Sequence, residues 1–240
     1  MSSTVDRPAF YAVGTGSAGL RAWVSVLHPP YTAWHLSYVA IGSALAPQFA
    51  LWRLGGTLLA FFLAVGVAAH ALDELRGRPL RTAIPAPTLM VVASLSLGTA
   101  VTAGWIYGGV RLLPFVVAGV VLVVGYNLEM PGLHNAATFG LGWGAFPVLV
   151  GFFAQDFSLD LAAVAAAVAA YFFSLGQRAL SMPARTLRRR TESAHGQVQL
   201  HDGRVVGLNR VALLAPLEAA LRFTAVGILL VATALVVARL

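Results

Sequence analysis

The stretch HALDELRGRPLRTAIP, residues 70–85, gathers His70, Asp73, Glu74, Arg76, Arg78 and Arg81 within twelve positions at the tail of a long apolar run. On a helix, His70, Asp73 and Glu74 share one face, because they are spaced i, i+3, i+4. Pro79 disfavours helix at Arg78, so the helix is expected to end near there and present three arginines at once. Carboxylates beside arginines at a membrane edge suit a ligand that is both anionic and metal-bound, and a diphosphate is the obvious candidate. Asp73 and Glu74 would hold Mg²⁺, which bridges phosphate oxygens, while guanidinium forks take the remaining oxygens. The plainer alternative is that the arginines only enforce topology and pair with the acids at headgroup level. That explains less well why His70 and Asp73 sit at the tail of a span, where ionisable side chains are costly and usually functional.

The elements that must position these groups are membrane helices. The chain has 240 residues, is 58% hydrophobic and only 10% charged, which marks a polytopic membrane protein. A bilayer crossing needs about 20 apolar residues. Seven spans are expected, at 30–47, 54–73, 86–107, 110–126, 135–154, 159–180 and 212–238. The fold expected is an all-α polytopic helix bundle in a single transmembrane domain, without internal repeat. All sixteen basic residues are arginine, which excludes a Schiff-base lysine. With the N-terminus inside, twelve arginines fall in inner segments and three, Arg53, Arg111 and Arg239, in outer ones. This bias predicts N-in, C-out. The basic excess therefore sets topology, and nucleic acid is not an expected partner. The absence of cysteine excludes disulfides, thiolate metal sites and a Cys nucleophile. Residues 1–27 read as a polar cytoplasmic N-terminus without a signal-peptide pattern. Residues 181–210 read as a basic cytoplasmic loop. Its second half alternates around Asp202-Gly203, consistent with a hairpin flap or with a merely solvated loop.

Other polar residues carry two readings each. Trp34 and Tyr38, and likewise Tyr31 and His35, are spaced i, i+4 on the first span. They would line an apolar channel and steady a cation, or form an interfacial belt, which suits Tyr31 best. His35, deeper in, is a proton acceptor or a bond to a neighbouring helix. Asn127, Glu129 and His134 flank a short inner turn that lacks arginine; Glu129 contributes to a metal or acceptor site across the pocket from Asp73 or is solvated, His134 is solvated, and Asn127 is a weak polar contact. Glu218 and Arg222 read as an i, i+4 ion pair, and Gly140, Gly142 and Gly144 as close helix packing. His195, His201 and Asp202 have no recognisable metal spacing.

AHALDELRG (69–77), the trailing RTAIP (81–85), HPPYTAWHLSYVAIGSALAP (28–47) and YNLEMPGLHNAATFGLGWGAFPVLVGFFA (126–154) together resemble the UbiA superfamily of intramembrane prenyltransferases. The likeness runs over residues 21–190. The family's first Asp-rich motif, NDxxDxxxD, corresponds to 69–77, with Asp73 at the central Asp. Ala69, His70 and Gly77 replace its other Asn and Asp positions. SMPARTLRRRT (181–191), in the second motif's place, has no acid at all. The resemblance implies Mg²⁺, a prenyl diphosphate and a hydrophobic acceptor. If Arg185, Arg188, Arg189 and Arg190 face the pocket, they would neutralise the diphosphate in place of a second metal cluster; equally, the departures fit a ligand other than a diphosphate, or lost catalysis.

The first functional expectation is thus an intramembrane prenyltransferase, with Asp73, Glu74, His70 and His35 catalytic. Arg76, Arg78, Arg81, the loop arginines, Asn127, Tyr38 and Trp34 would bind substrate. It would act at the cytoplasmic face of a bacterial or archaeal plasma membrane, among lipids and with no protein partner required. A terpene cyclase on the same scaffold, or a non-catalytic protein binding an anionic lipid, are the alternatives. A transporter is disfavoured, because no line of ionisable groups or paired broken helices is visible.

Overall fold

Backbone polar groups that lose water must bond internally, and these apolar runs do so as helices. The computed structural model describes residues 7–240. Its elements are α1 (Leu20–Val26), α2 (Pro29–Leu45), α3 (Leu51–Leu75), α4 (Ala86–Arg111), α5 (Leu113–Asn127), α6 (Ala136–Asp156) and α7 (Leu161–Arg189). A hairpin of β1 (His195–Gln199) and β2 (Val205–Asn209) comes next, then α8 (Arg210–Val237). Five of these, α3, α4, α6, α7 and α8, are long and apolar enough to cross a bilayer. Protein covers only 11% of the apolar stretch of α4 and 22% of that of α8. Their outward side chains are suited to lipid, as in an integral membrane bundle.

α2 runs through the middle, against α6 and α8. Two glycines allow the α2–α6 crossing. A Cβ on Gly42 would lie 2.0 Å from the Val148 carbonyl oxygen, and one on Gly151 would lie 2.2 Å from that of Val39. Ser43 Oγ donates to the Gly151 carbonyl across the same contact (2.9 Å). Gly144 gives α7 a similar approach, 2.5 Å from the Ala170 oxygen.

Two helices carry widened π turns, Phe62–Ala69 within α3 and Leu141–Ala145 within α6. Such turns interrupt the regular ladder and leave carbonyls to side chains. Gly66 bonds His70 Nδ1 (3.1 Å), and Trp143 bonds both His35 Nδ1 (2.8 Å) and Ser174 Oγ (3.3 Å).

The ends of the elements depart from expectation. α7 continues through Pro183 to Arg189, so Arg185, Arg188 and Arg189 stand on a helix, not in a loop beginning at 181. β1 and β2 pair antiparallel, Val198 opposite Val206, and close on Asp202-Gly203, with Gly203 at φ +85°. The N-terminal segment is packed against the bundle over its described part. Ala9, Ala12, Ala22 and Val26 are buried with Leu80, Ile84 and Leu89. Gly16 N donates to Arg81 O and Ala83 N to Ser17 O, each at 2.8 Å. Residues 7–27 thus form a strap stitched to the loop after α3, and residues 1–6 lie outside the described part.

Candidate functional site

The site is built where the ends of α2, α3, α5 and α7 meet beneath this strap. α7 contributes Arg178, Arg185 and Arg189, spaced i, i+7, i+11, hence on one helix face. Arg185 is exposed and lines a small cleft of about 20 Å³ with Tyr11, Tyr31, Arg189 and Glu218. The groups acting on its charge are Tyr11 of the strap, Tyr31 of α2, Asp73 of α3 and Tyr126 of α5. Asp73, half-buried, feels Arg185 and Arg189 first among its charged neighbours, then Glu74 and His134. Neither the Asp73 carboxylate nor the Arg185 guanidinium makes a hydrogen bond or ion pair among the described residues, although the two act on one another electrostatically.

The rest of the wall is aromatic and polar. Tyr11 and Tyr31 pack edge to face with centroids 5.5 Å apart. Burial, with help from Tyr31, pushes the Tyr11 phenol above its usual range against the pull of Arg185 and Arg189, so it is a neutral donor. His28 stacks on His70 at 4.1 Å, and its buried Nε2 has no hydrogen-bond partner. Burial, then His70, Arg185 and Arg189, hold His28 well below the ordinary imidazole value, so its ring is neutral. Arg178 donates to the Tyr126 hydroxyl (2.6 Å) and lies over the Phe139 ring. Behind it Tyr126, Trp143 and Phe139 form an aromatic stack, with centroids 4.5 Å apart for Tyr126–Trp143 and 5.8 Å for Phe139–Trp143.

Several expected site residues are engaged elsewhere. Glu74 is fully buried, and its carboxylate accepts from Leu80 N (2.9 Å), Thr82 N (3.0 Å) and Thr82 Oγ1 (2.8 Å). It clamps the loop after α3. A Mg²⁺ ion held jointly by Asp73 and Glu74 does not fit this arrangement, because both Glu74 oxygens are committed to the loop. Among the described residues no cluster of three or more His, Asp or Glu is poised for a metal. Arg188 forms a two-pronged ion pair with Glu218, one prong being Nη2–Oε2 at 2.9 Å. Glu218 therefore answers chiefly to Arg188 across two helices, with Arg222 at 3.5 Å as a lesser partner.

Arg76 reaches Glu129 at 3.4 Å on the exposed surface, so Glu129 does have a cation. Arg78 is turned onto the Ile84 carbonyl (2.6 Å), and Arg81 and Arg190 are exposed. Asn127 bonds back to Val123 O of its own helix (2.7 Å). Trp34 donates to Tyr38 OH (2.6 Å) inside a core with Val148, Ala167 and Ala225, away from the cleft. His35 uses Nδ1 on the Trp143 carbonyl, which leaves Nε2 as its acceptor nitrogen. Of the expected set, Asp73, Arg185, Arg189 and the neighbouring His70 converge.

Sequence reasoning missed Arg178, Tyr11, His28 and Tyr126. The helical spacing of Arg178 with Arg185 and Arg189 was the available signal, hidden by Pro183. No family model, curated protein or solved structure matches the chain, so the site is interpreted from its own residues.

Proposed function

We propose that this protein takes the anionic head of an isoprenoid lipid, a prenyl diphosphate, into the cleft, and that Arg185, Arg178 and Arg189 neutralise it without a two-carboxylate metal cluster. The observation that carries this reading is Arg185: a solvent-reachable guanidinium with no side-chain hydrogen-bond or ion-pair partner among the described residues, in a cleft with the phenols of Tyr11 and Tyr31. Such a cation is costly at a membrane edge and gains most from a phosphate, which matches its fork of donors. Tyr11, kept neutral, supplies a further donor.

Prenyl transfer is the reaction proposed on this scaffold. The allylic C–O bond breaks, and its electron pair leaves with the diphosphate onto the arginines. A nucleophilic atom of a hydrophobic acceptor then bonds the allylic carbon, and the acceptor's proton passes to Asp73. The proposed setting is a seven-span, N-in bundle in a bacterial or archaeal plasma membrane. Non-catalytic binding of an anionic lipid is the second reading. It is favoured by the commitment of Glu74 to its loop, which leaves Asp73 as the one free carboxylate of the expected pair.

The test measures binding of a prenyl diphosphate, and diphosphate release with a quinone-like acceptor, by the purified chain. Arg185→Gln is expected to weaken binding at least tenfold in either case. Asp73→Asn abolishes release if the protein is a transferase. If wild type binds the ligand but never releases diphosphate, the second reading holds. Wild type without affinity for the ligand sinks both.

A further inference from the structure

A second feature lies at the opposite end of the bundle and does not depend on the cleft. Between α3, α4, α5 and α6 is a cavity of about 240 Å³, walled by residues such as Gly56, Ala60, Val101, Phe115, Val120 and Val150. At one end of it stands Arg53, in the first turn of α3. Asp73 is twenty residues further along that helix, hence about 30 Å away at 1.5 Å per residue.

The polar groups at this mouth are short of acceptors. Tyr107 gives its hydroxyl proton to Ala154 O (2.5 Å), and Thr57 gives its own to Arg53 O (2.8 Å). Gln155 is fully buried; its Oε1 accepts from Ala50 N (2.9 Å), but its Nε2 has no partner. Arg53 donates through Nη1 to the Gln155 carbonyl, while its buried Nε has no partner. No carboxylate pairs with Arg53 among the described residues. A buried donor without an acceptor is destabilising, so these two call for an oxygen-bearing ligand.

The edge left over on Arg53 identifies that oxygen's chemistry. Arg188 presents Nε and Nη2 together to the two oxygens of Glu218. Arg53 has the same edge without a protein acceptor; its guanidinium lies over the Trp52 ring, and both residues line the apolar cavity. Trp52 and Trp105, both exposed, mark this end as the level of lipid headgroups.

We infer that the cavity is a binding site for a membrane phospholipid: an acyl chain fills the space between α3 and α6, and the phosphate lies on Arg53 at its end. The fork explains why the head is an oxyanion, and the leaflet at this level supplies phosphates attached to chains.

The experiment is native mass spectrometry, with lipid phosphorus analysis, of the full chain purified in mild detergent. Gly56→Leu is the second variant. A Cβ at Gly56 meets nothing within 4 Å, so leucine grows into the cavity without displacing backbone, and it favours helix more than glycine does. Wild type is expected to retain one phospholipid per chain. Arg53→Gln and Gly56→Leu should each retain at least tenfold less, and Gly56→Leu should melt no lower than wild type. Wild type carrying no phospholipid, or a lipid without phosphate in its place, overturns the inference. So does equal retention by a correctly folded Gly56→Leu protein.

Discussion

Asp73 and Arg185 lie within electrostatic reach of one another at the same end of the bundle without forming an ion pair. A pair that does not close leaves room between its members, and a third party can then occupy the gap. This makes the two side chains separable by experiment. Arg185→Gln removes the cation an oxyanion would use, and binding of a prenyl diphosphate should fall at least tenfold. Asp73→Asn removes a like charge from the same space, so the anion should bind several-fold more tightly, with no dependence on Mg²⁺. If Asp73 instead gripped the ligand through a metal, the Asn variant would lose affinity. A calorimetric titration with and without a chelator separates the outcomes.

Glu74 obeys a different logic. Its oxygens hold Leu80 and Thr82 in a loop whose Gly77, Arg78 and Arg81 all have positive φ. Glu74→Gln replaces one acceptor oxygen by a donor facing donors. We expect a loss of about 2–3 kcal/mol in stability, read as a lowered melting temperature in detergent. Adding Mg²⁺ should leave wild type and variant equally unaffected. A variant with wild-type stability would show that the clamp contributes nothing.

These two acids are adjacent in the sequence, and their separation in role is not legible there. Apolar runs announce helices, because backbone in lipid has no other way to bond, and the Asp202-Gly203 pair announces a turn. The path of the chain after Glu74 depends on loop residues taking left-handed conformations and on a strap from residues 7–27, neither of which leaves a periodic trace. α7 shows the same limit from the other side. Pro183 and the arginines after it look like the end of a helix, yet the helix continues, since one lost N–H bond costs less than the packing and ion pairing gained beyond it. With the helix extended, Arg178, Arg185 and Arg189 fall on one face.

Arg188 and Glu218 form the tie that such an extension permits. Both are 7% exposed and engage through two prongs. Removing one partner strands a buried charge, so Arg188→Met or Glu218→Gln alone should cost about 3–5 kcal/mol. The double variant should recover most of that loss, because neither charge then remains. A double-mutant cycle on unfolding checks this. Simple additivity would mean that the pair contributes no coupling, and that Arg222, 3.5 Å from Glu218, is the partner that matters.

His28 links the same end of the molecule to pH. It is buried at φ +45° before α2 and is held well below 6.5 by burial, then by His70, Arg185, Arg189 and His35. Tyr11 and Tyr31 also pack against it. The native state therefore keeps the ring neutral where the unfolded chain takes up a proton. The unfolded state binds more protons below its own pKa of 6.5, so stability falls as pH drops through that value and continues to fall until the folded pKa is reached. Wild type should lose melting temperature steadily from about pH 7 to pH 5. His28→Gln, which keeps a polar side chain but cannot charge, should start less stable and show a shallower slope. A slope unchanged by the substitution would assign the acid sensitivity to another group of the cleft, with His70, stacked on His28 at 4.1 Å, the first to test.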